Sequence, residues 1–182
     1  LTDLSKTKTN GINFSSGGAG SSGHLAAELL KTNLGIDMTH VPYKGGGPAM
    51  TATISGETDI TILGAVITVP QIKGGNLKAL AVLGKKRTPA LPQVPTASEQ
   101  GLTNFDVSSW VGVLVPAGTP AAIIDKINNA FAQALKTPAV QARMVEQGNE
   151  VVASSPAQFG VFLNQESVKW AKVIKDNNIQ LE

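Results

Sequence analysis

At 182 residues and a formal net charge of +2, the chain has room for one domain, or for one and part of a second, with no strong electrostatic bias. Its 42% hydrophobic content supports a buried core, yet no apolar run approaches the roughly twenty residues that a membrane-spanning helix needs. The lack of cysteine excludes disulfides, cysteine nucleophiles and thiolate-bound metal, and Lys85-Lys86-Arg87 alone is too small a basic cluster for a nucleic-acid face.

The opening Leu1-Thr2-Asp3-Leu4-Ser5 has neither an initiator methionine nor the basic start and apolar middle of a signal peptide, and reads as the interior of a longer chain. From residue 12 short strands alternate with helices, the pattern of a parallel α/β sheet. Residues 12–15 form the first predicted strand. An amphipathic helix follows, marked by Leu25, Leu29, Leu30 and Leu34 and stopped by Gly35. Residues 38–41 are the second strand, and Pro48 and Gly56 open and close the next helix. A third strand over 59–63 leads to a helix reaching Lys73. The apolar run 77–83 predicts a strand buried on both faces. Prolines at 89, 92 and 95 make the next stretch an extended connector, and Thr96-Ala97-Ser98-Glu99 is a capping box. Residues 107–115 read as one more strand.

Beyond Pro116-Ala117-Gly118 the chain turns helical. Thr119-Pro120 and Thr137-Pro138 each place a capping residue before a first-turn proline, and Ile123, Ile124, Ile127, Phe131 and Leu135 make a stripe. Val151-Val152 predicts a brief strand. Ser155-Pro156-Ala157-Gln158 opens a long helix with Phe159, Phe162, Val168 and Trp170 facing inward.

The chemistry concentrates between the first strand and its helix. Ser15-Ser16-Gly17-Gly18-Ala19-Gly20-Ser21-Ser22-Gly23-His24 combines glycines, which admit close backbone approach, with hydroxyls and a helix start. Unpaired N–H groups and the helix dipole suit that place to an anion or carboxylate. The same residues spell G-x-G-x-x-G from Gly18 to Gly23, the dinucleotide fingerprint. Against that reading, the strand carries Asn13, Ser15 and Ser16, and His40-Val41-Pro42-Tyr43 stands where an acid would grip a ribose. His24 occupies the lysine position of a phosphate-binding loop. His24 and His40 are the only histidines, with no third ligand at metal spacing, and no G-x-S-x-G elbow accompanies them. Neither metal, cofactor nor catalysis is expected. His24 either helps to bind a carboxylate or hydrogen-bonds the loop backbone, the commoner use of a lone histidine. Tyr43 either packs under its loop or donates to a ligand beside Lys44. Gly64-Ala65 ends the third strand on the same edge and brings bare backbone to the site.

Several stretches together carry a resemblance. They are the Ser-Ser-Gly loop with His24-Leu25, His40-Val41-Pro42-Tyr43-Lys44-Gly45, the run from Gln71 to Ala81, Leu91-Pro92-Gln93-Val94-Pro95-Thr96, Trp110-Val111-Gly112 and Pro116-Ala117-Gly118-Thr119-Pro120. In this order the chain resembles the substrate-binding proteins of tripartite tricarboxylate transporters, also called Bug receptors. The resemblance implies a periplasmic binding protein type II-like α/β fold, whose two lobes close like a flytrap on a small organic carboxylate. It also implies a periplasmic receptor without enzymatic activity that serves membrane permease subunits.

Residues 1–10 would then be the lead-in from a missing first lobe, 11–112 the second, ligand-binding lobe, and 113–182 the segment returning to the first. The resemblance places the carboxylate contacts on Ser15, Ser16, Gly17, Gly20, Ser21, Ser22 and Tyr43; His24 and Gly64 join them from the reading of the residues. Leu63-Gly64 replaces a polar pair common after the third strand, which argues against an amino-acid ligand. With half a lobe missing, the return helices should expose apolar faces and favour a homodimer, a domain swap or a partner chain. The alternatives are a nucleotide-dependent oxidoreductase fragment and a scaffold that has lost binding.

Overall fold

A computed structural model describes residues 1–8, 11–103 and 105–179. After a short helix α1 (Thr2–Thr7), three strands, β1 (Ile12–Ser16), β2 (Met38–Pro42) and β3 (Ile60–Thr61), form a parallel sheet in the order β2-β1-β3. Parallel neighbours need crossovers, and helices provide them: α2 (Ser22–Leu34) and α3 (Gly46–Ile54), with α4 (Ala65–Lys73) following β3. Phe14 lies opposite His40 on one side and Ile60 on the other. Successive strand residues face opposite sides of the sheet. Ile12, Phe14 and Met38 therefore pack with Ala27 of α2 and with Ile36, while Ser15 turns to α3.

Local signals set the helix ends. Ser21 caps α2 by accepting the His24 N–H, and Gly35 closes it in the left-handed region at φ 61°. Thr96 and Glu99 bond reciprocally around a single 3₁₀ turn, Ser98–Gln100. Arg87 and the Thr96 amide hold the Glu99 carboxyl at about 2. The Ser155–Gln158 capping box is also present and starts the longest helix, α7 (Pro156–Asp176). Between these last features lie α5 (Ala121–Lys136) and α6 (Pro138–Glu146).

Several expectations need correction. The strand expected over 59–63 pairs only at Ile60–Thr61; just before it, the Asp59 carboxylate takes the Asn13 N–H at 2.9 Å in place of a ladder carbonyl. The same carboxylate holds Lys8 at 2.6 Å. Residues 77–83 make no strand: a single bridge joins Val82 to Thr96, and Leu80 is 48% exposed. Pro92 and Pro95 have no N–H to offer, so the ladder stops at one rung. Leu91 and Val94 of that connector are themselves buried, packed on Val69 of α4. Residues 107–115 likewise form no strand, and Val111 is 99% exposed. Val151-Val152 forms no strand, with Val152 77% exposed. Thr119 turns its hydroxyl back to the Pro116 carbonyl and leaves α5 without a side-chain cap, and Thr137 makes no capping bond to α6. Val168 faces outward, 73% exposed, instead of inward.

Residues 113–179 meet the sheet unit at more than one place: the end of α6 lies against α4, where a Cβ on Gly148 would come within 2.9 Å of the Ala65 side chain, and α7 lies against α2. Trp170 of α7 packs on the cluster of Ala26, Leu30, Ala97, Phe105 and Val107, and Asn177 accepts from Thr32 at the end of α2. Trp110 in the crossing segment sits edge-on to Phe159 and Phe162 of α7, and Glu166 accepts both indole N–H groups, from Trp170 at 2.9 Å and from Trp110 at 3.3 Å. The apolar stripe of α5 is only partly covered by α6 and α7: Ile124, Ile127 and Leu135 are half-buried, while Ile123 and Phe131 stay exposed, Phe131 at 49%.

Where α2 passes the exit of β3 there is room for a glycine only. A Cβ on Gly23 would lie 2.2 Å from the Ile62 carbonyl oxygen, whereas one on Gly47 in α3 would meet open space. Gly23→Ala is therefore expected to destabilise the chain by about 3 kcal/mol, as backbone overpacking does, and Gly47→Ala to be neutral or to stabilise by up to about 1 kcal/mol. Denaturant unfolding of the two variants checks this, and equal stabilities would show that α2 can back away from β3.

Candidate functional site

All three strands run the same way, so their exits and the starts of α2, α3 and α4 share one edge of the sheet. Loops at the carboxyl ends of parallel strands are where open α/β sheets hold ligands. Here the loops are laced by backbone. Tyr43 N–H donates to the Ser16 carbonyl at 3.0 Å and Gly45 N–H to the Gly17 carbonyl at 3.2 Å. A Cβ on Gly17 would come within 3.3 Å of the Gly46 nitrogen, and one on Gly46 within 2.8 Å of the Ile67 side chain. Glycine at these places lets three helix N-termini crowd together, each presenting N–H groups without an intrahelical acceptor. Lys44, exposed, carries the only formal charge of the residues in the loops 17–21, 43–45 and 62–64.

The nominated residues divide sharply. Gly17, Gly20, Ser21 and Ser22 lie together at the start of α2, with Ser22 exposed in its first turn and Gly20 at φ 72°. Gly64 is the cap residue of α4 on the same edge. Ser15 does not join them. It is fully buried on the other face, its hydroxyl bonded to the Ala49 carbonyl and the Thr53 hydroxyl, both at 2.9 Å, as a strut between β1 and α3. Ser16 is equally buried but faces α2, where its hydroxyl accepts the Gly18 N–H at 3.1 Å and lies 2.6 Å from His40 Nε2. Tyr43 turns its hydroxyl out of solvent, with no hydrogen-bond partner among the described residues. Burial, and then the neighbouring Glu57 carboxylate, push that phenol up.

His24 adopts the second of its two readings. Its Nδ1 accepts the Gly20 N–H at 3.0 Å, and its ring lies parallel to that of His40 with centroids 3.8 Å apart; Phe14 stacks on His40 from 4.9 Å. The part played by His40 was missed in the sequence. The available signal was parity: Phe14 and Ser16 share a face of β1, and the register sets His40 beside Phe14 on that face. Burial holds both imidazoles below the ordinary histidine value; the neighbouring His24 adds to this for His40, which lies at about 4. For His24, Glu28 partly offsets the effect of burial.

The family model described as the tripartite tricarboxylate transporter family receptor matches residues 1–179. Among curated proteins, the chain is 37% identical over 179 residues to the UPF0065 protein in the TAR-I ttuE-ttuC' intergenic region of Agrobacterium vitis, covering 97% of this chain and 52% of that one. It is 33% identical over 177 residues to protein BugT of Bordetella pertussis, covering 97% and 54%. It thus spans about half the length of these relatives, although it covers 94% of a shorter one from Pseudomonas knackmussii, at 35% identity. Among solved structures it superposes on R. palustris Rpa4515 with adipate at a TM-score of 0.92 and 31% identity, covering all of this chain and 61% of that one. MatC of Rhodopseudomonas palustris with bound malate matches at 0.82 and 32%, covering 95% and 60%. The α/β architecture is that of periplasmic binding proteins.

The histidine pair has a consequence for stability. Unfolded, both rings titrate near 6.5; folded, they resist protonation, so the unfolded chain binds more protons in between. The stability tied to the neutral rings is complete above about pH 6.5 and is lost as pH falls toward about 4. Melting temperature should drop measurably from pH 7 to 5, above the range where the paired carboxylates protonate, and His40→Gln should flatten that drop. A flat wild-type profile over this range would contradict the burial of neutral rings.

Proposed function

The chain belongs to the tripartite tricarboxylate transporter receptor family, and from that premise we propose that it holds a small organic carboxylate at the joined loops of Gly17–Ser22, Tyr43–Gly45 and Gly64. The observation that carries the proposal is the convergence of three helix N-termini on one glycine-lined edge. Backbone N–H groups and helix dipoles there offer neutral donors to an anion. Adipate and malate in two structurally similar proteins support the same ligand class. Gly17, Gly20, Ser21 and Ser22 are assigned to the carboxylate directly, with Gly64 approaching it through its backbone. Ser15, Ser16, His24 and Tyr43 act behind them, as parts of the frame.

In this reading the protein works in the periplasm as a receptor that passes its solute to membrane permease subunits. Residues 11–112 form the binding lobe, and 113–182 return toward the other. The family is one of receptors rather than enzymes, and the G-x-G-x-x-G loop serves helix packing and anion binding without a dinucleotide. A second copy exchanging its return segment would cover the exposed apolar residues of α5; light scattering showing a sharply monomeric species removes that part of the proposal.

Thermal unfolding with a panel of mono-, di- and tricarboxylates, beside NAD(H) and NADP(H), tests the binding reading. A carboxylate present at 100 times its Kd should stabilise the native chain by about 2.7 kcal/mol. Ser22→Asp sets a negative charge in the first turn of α2, where it favours the helix but repels an anion. The variant should melt no lower than the wild type yet lose at least about tenfold in carboxylate affinity. No response to any carboxylate, or an unchanged response in the variant, would overturn the assignment; a response to dinucleotide alone would restore the oxidoreductase alternative.

A further inference from the structure

We infer that His24 is a positioning residue for the 17–21 loop, which keeps its shape only while the imidazole Nδ1 is free to accept the Gly20 N–H. The inference rests, for its bearing on ligand, on the proposal that this loop holds a carboxylate; its structural content stands apart from that.

The geometry is that of a capping box with one substitution. In the usual box a serine at the cap accepts the N–H three residues on, and a glutamate or glutamine there reaches back to an N–H at the helix start. Ser21 does accept the His24 N–H, at 3.4 Å. The residue reaching back is a histidine, and its Nδ1 takes the amide of Gly20 at 3.0 Å. That places the lone pair on Nδ1 and the ring proton on Nε2, which points toward Glu28 Oε1 at 4.0 Å. A glutamate in this role remains an acceptor throughout the physiological range. A histidine is an acceptor only while neutral: with a proton on Nδ1, donor would face donor and the strap on Gly20 would open.

The strap matters because of what it holds. Gly18 and Gly20 sit at φ 125° and 72°, and Ser21 N–H donates to the Gly18 carbonyl. Gly20 is thus the point at which a glycine loop, free to take many shapes, is tied to the helix it precedes. The surroundings favour the neutral ring. Glu28 and Lys31 face it from its own helix, paired with each other at 3.5 Å, and His40 lies against it from β2. The β1 residues beside the pair, Phe14 and Ser16, bring no charge. Burial opposes a cation there most, Lys31 and the positive end of α2 add to this, and Glu28 alone favours one.

The test is nitrogen and amide NMR on the whole 182-residue chain without ligand. Imidazole ¹⁵N shifts at pH 7.5 should show His24 as the Nε2–H tautomer. Gly20 amide exchange, corrected for its intrinsic rate, should be slow at that pH and accelerate at least tenfold as His24 titrates, with one shared midpoint below 6.5. His24→Asn sets an amide oxygen where Nδ1 stands and cannot titrate in this range; Gly20 protection should survive and become independent of pH. His24→Phe should lose it at every pH.

An Nδ1–H tautomer, Gly20 protection indifferent to the titration of His24, or acid loss that persists in His24→Asn would each overturn the inference. The wild-type measurements decide the matter alone if a variant fails to fold. A chain that keeps this linkage but binds no carboxylate at pH 7.5 would end the receptor proposal and leave the inference standing.

Discussion

Gly23 and the Ile62 carbonyl lie so close that no side chain fits between them, and much of the molecule follows from that approach. It sets the first turn of α2 against the chain leaving β3, although β3 comes almost forty residues later. The loop after β1 is thereby pressed toward the start of α4, and the Gly17–Gly45 bond draws in the start of α3 from the other side. Three helix dipoles that would repel one another at close range are held together by backbone contacts and by sheet pairing, both of which depend on glycine or on parallel strands. A concentration of partial positive charge is the result, with Lys44 as the one formal charge in these loops. An anion there would relieve the repulsion that the fold has assembled.

Neutral donors hold a carboxylate differently from an arginine or lysine. They have fixed directions and short reach, so their usefulness depends on how firmly their backbone is held. That shifts attention from residues that touch a ligand to residues that shape the loop. Ser16, His40 and His24 form a connected layer under the glycines: hydroxyl to imidazole, imidazole on imidazole, imidazole to the Gly20 amide. None of the three needs to meet a solute for the site to depend on them. Ser15, one residue from Ser16, does similar work on the opposite face by fastening α3, whose own start completes the edge.

Some local determinants were readable, although the caps expected at Thr119 and Thr137 did not form. Gly35, Thr96 with Glu99, and Ser155 with Gln158 declare their roles within four residues of chain, and the structure has each of them. The strands expected at 77–83 and 107–115 failed because a strand needs a partner, and apolar composition does not supply one. In the first case prolines in the neighbouring segment withhold the donors. Within the site, the alternation of strand side chains already separates Ser15 from Ser16, so the two could not have shared a ligand. The direction of the Tyr43 phenol depends on the packing of α3 near Glu57, which no short motif encodes. His24 could be read only as a pair of alternatives, since the choice between ligand and loop turns on one hydrogen bond.

The part of the chain after residue 112 leaves much of its apolar surface open. Its firmest attachment, however, is to α2. Trp170 buries its ring against Ala26 and Leu30, Asn177 bonds Thr32, and Glu166 ties Trp170 to Trp110 in the segment that crosses from one part to the other. The helix whose first turn opens the site is therefore held by the sheet along one side and by α7 along another. Burial works against the Glu166 carboxylate, yet Lys169 and the two indole N–H groups hold it below the usual carboxylate range. The same helix thus orders the loop at one end and joins the two parts of the chain along its length.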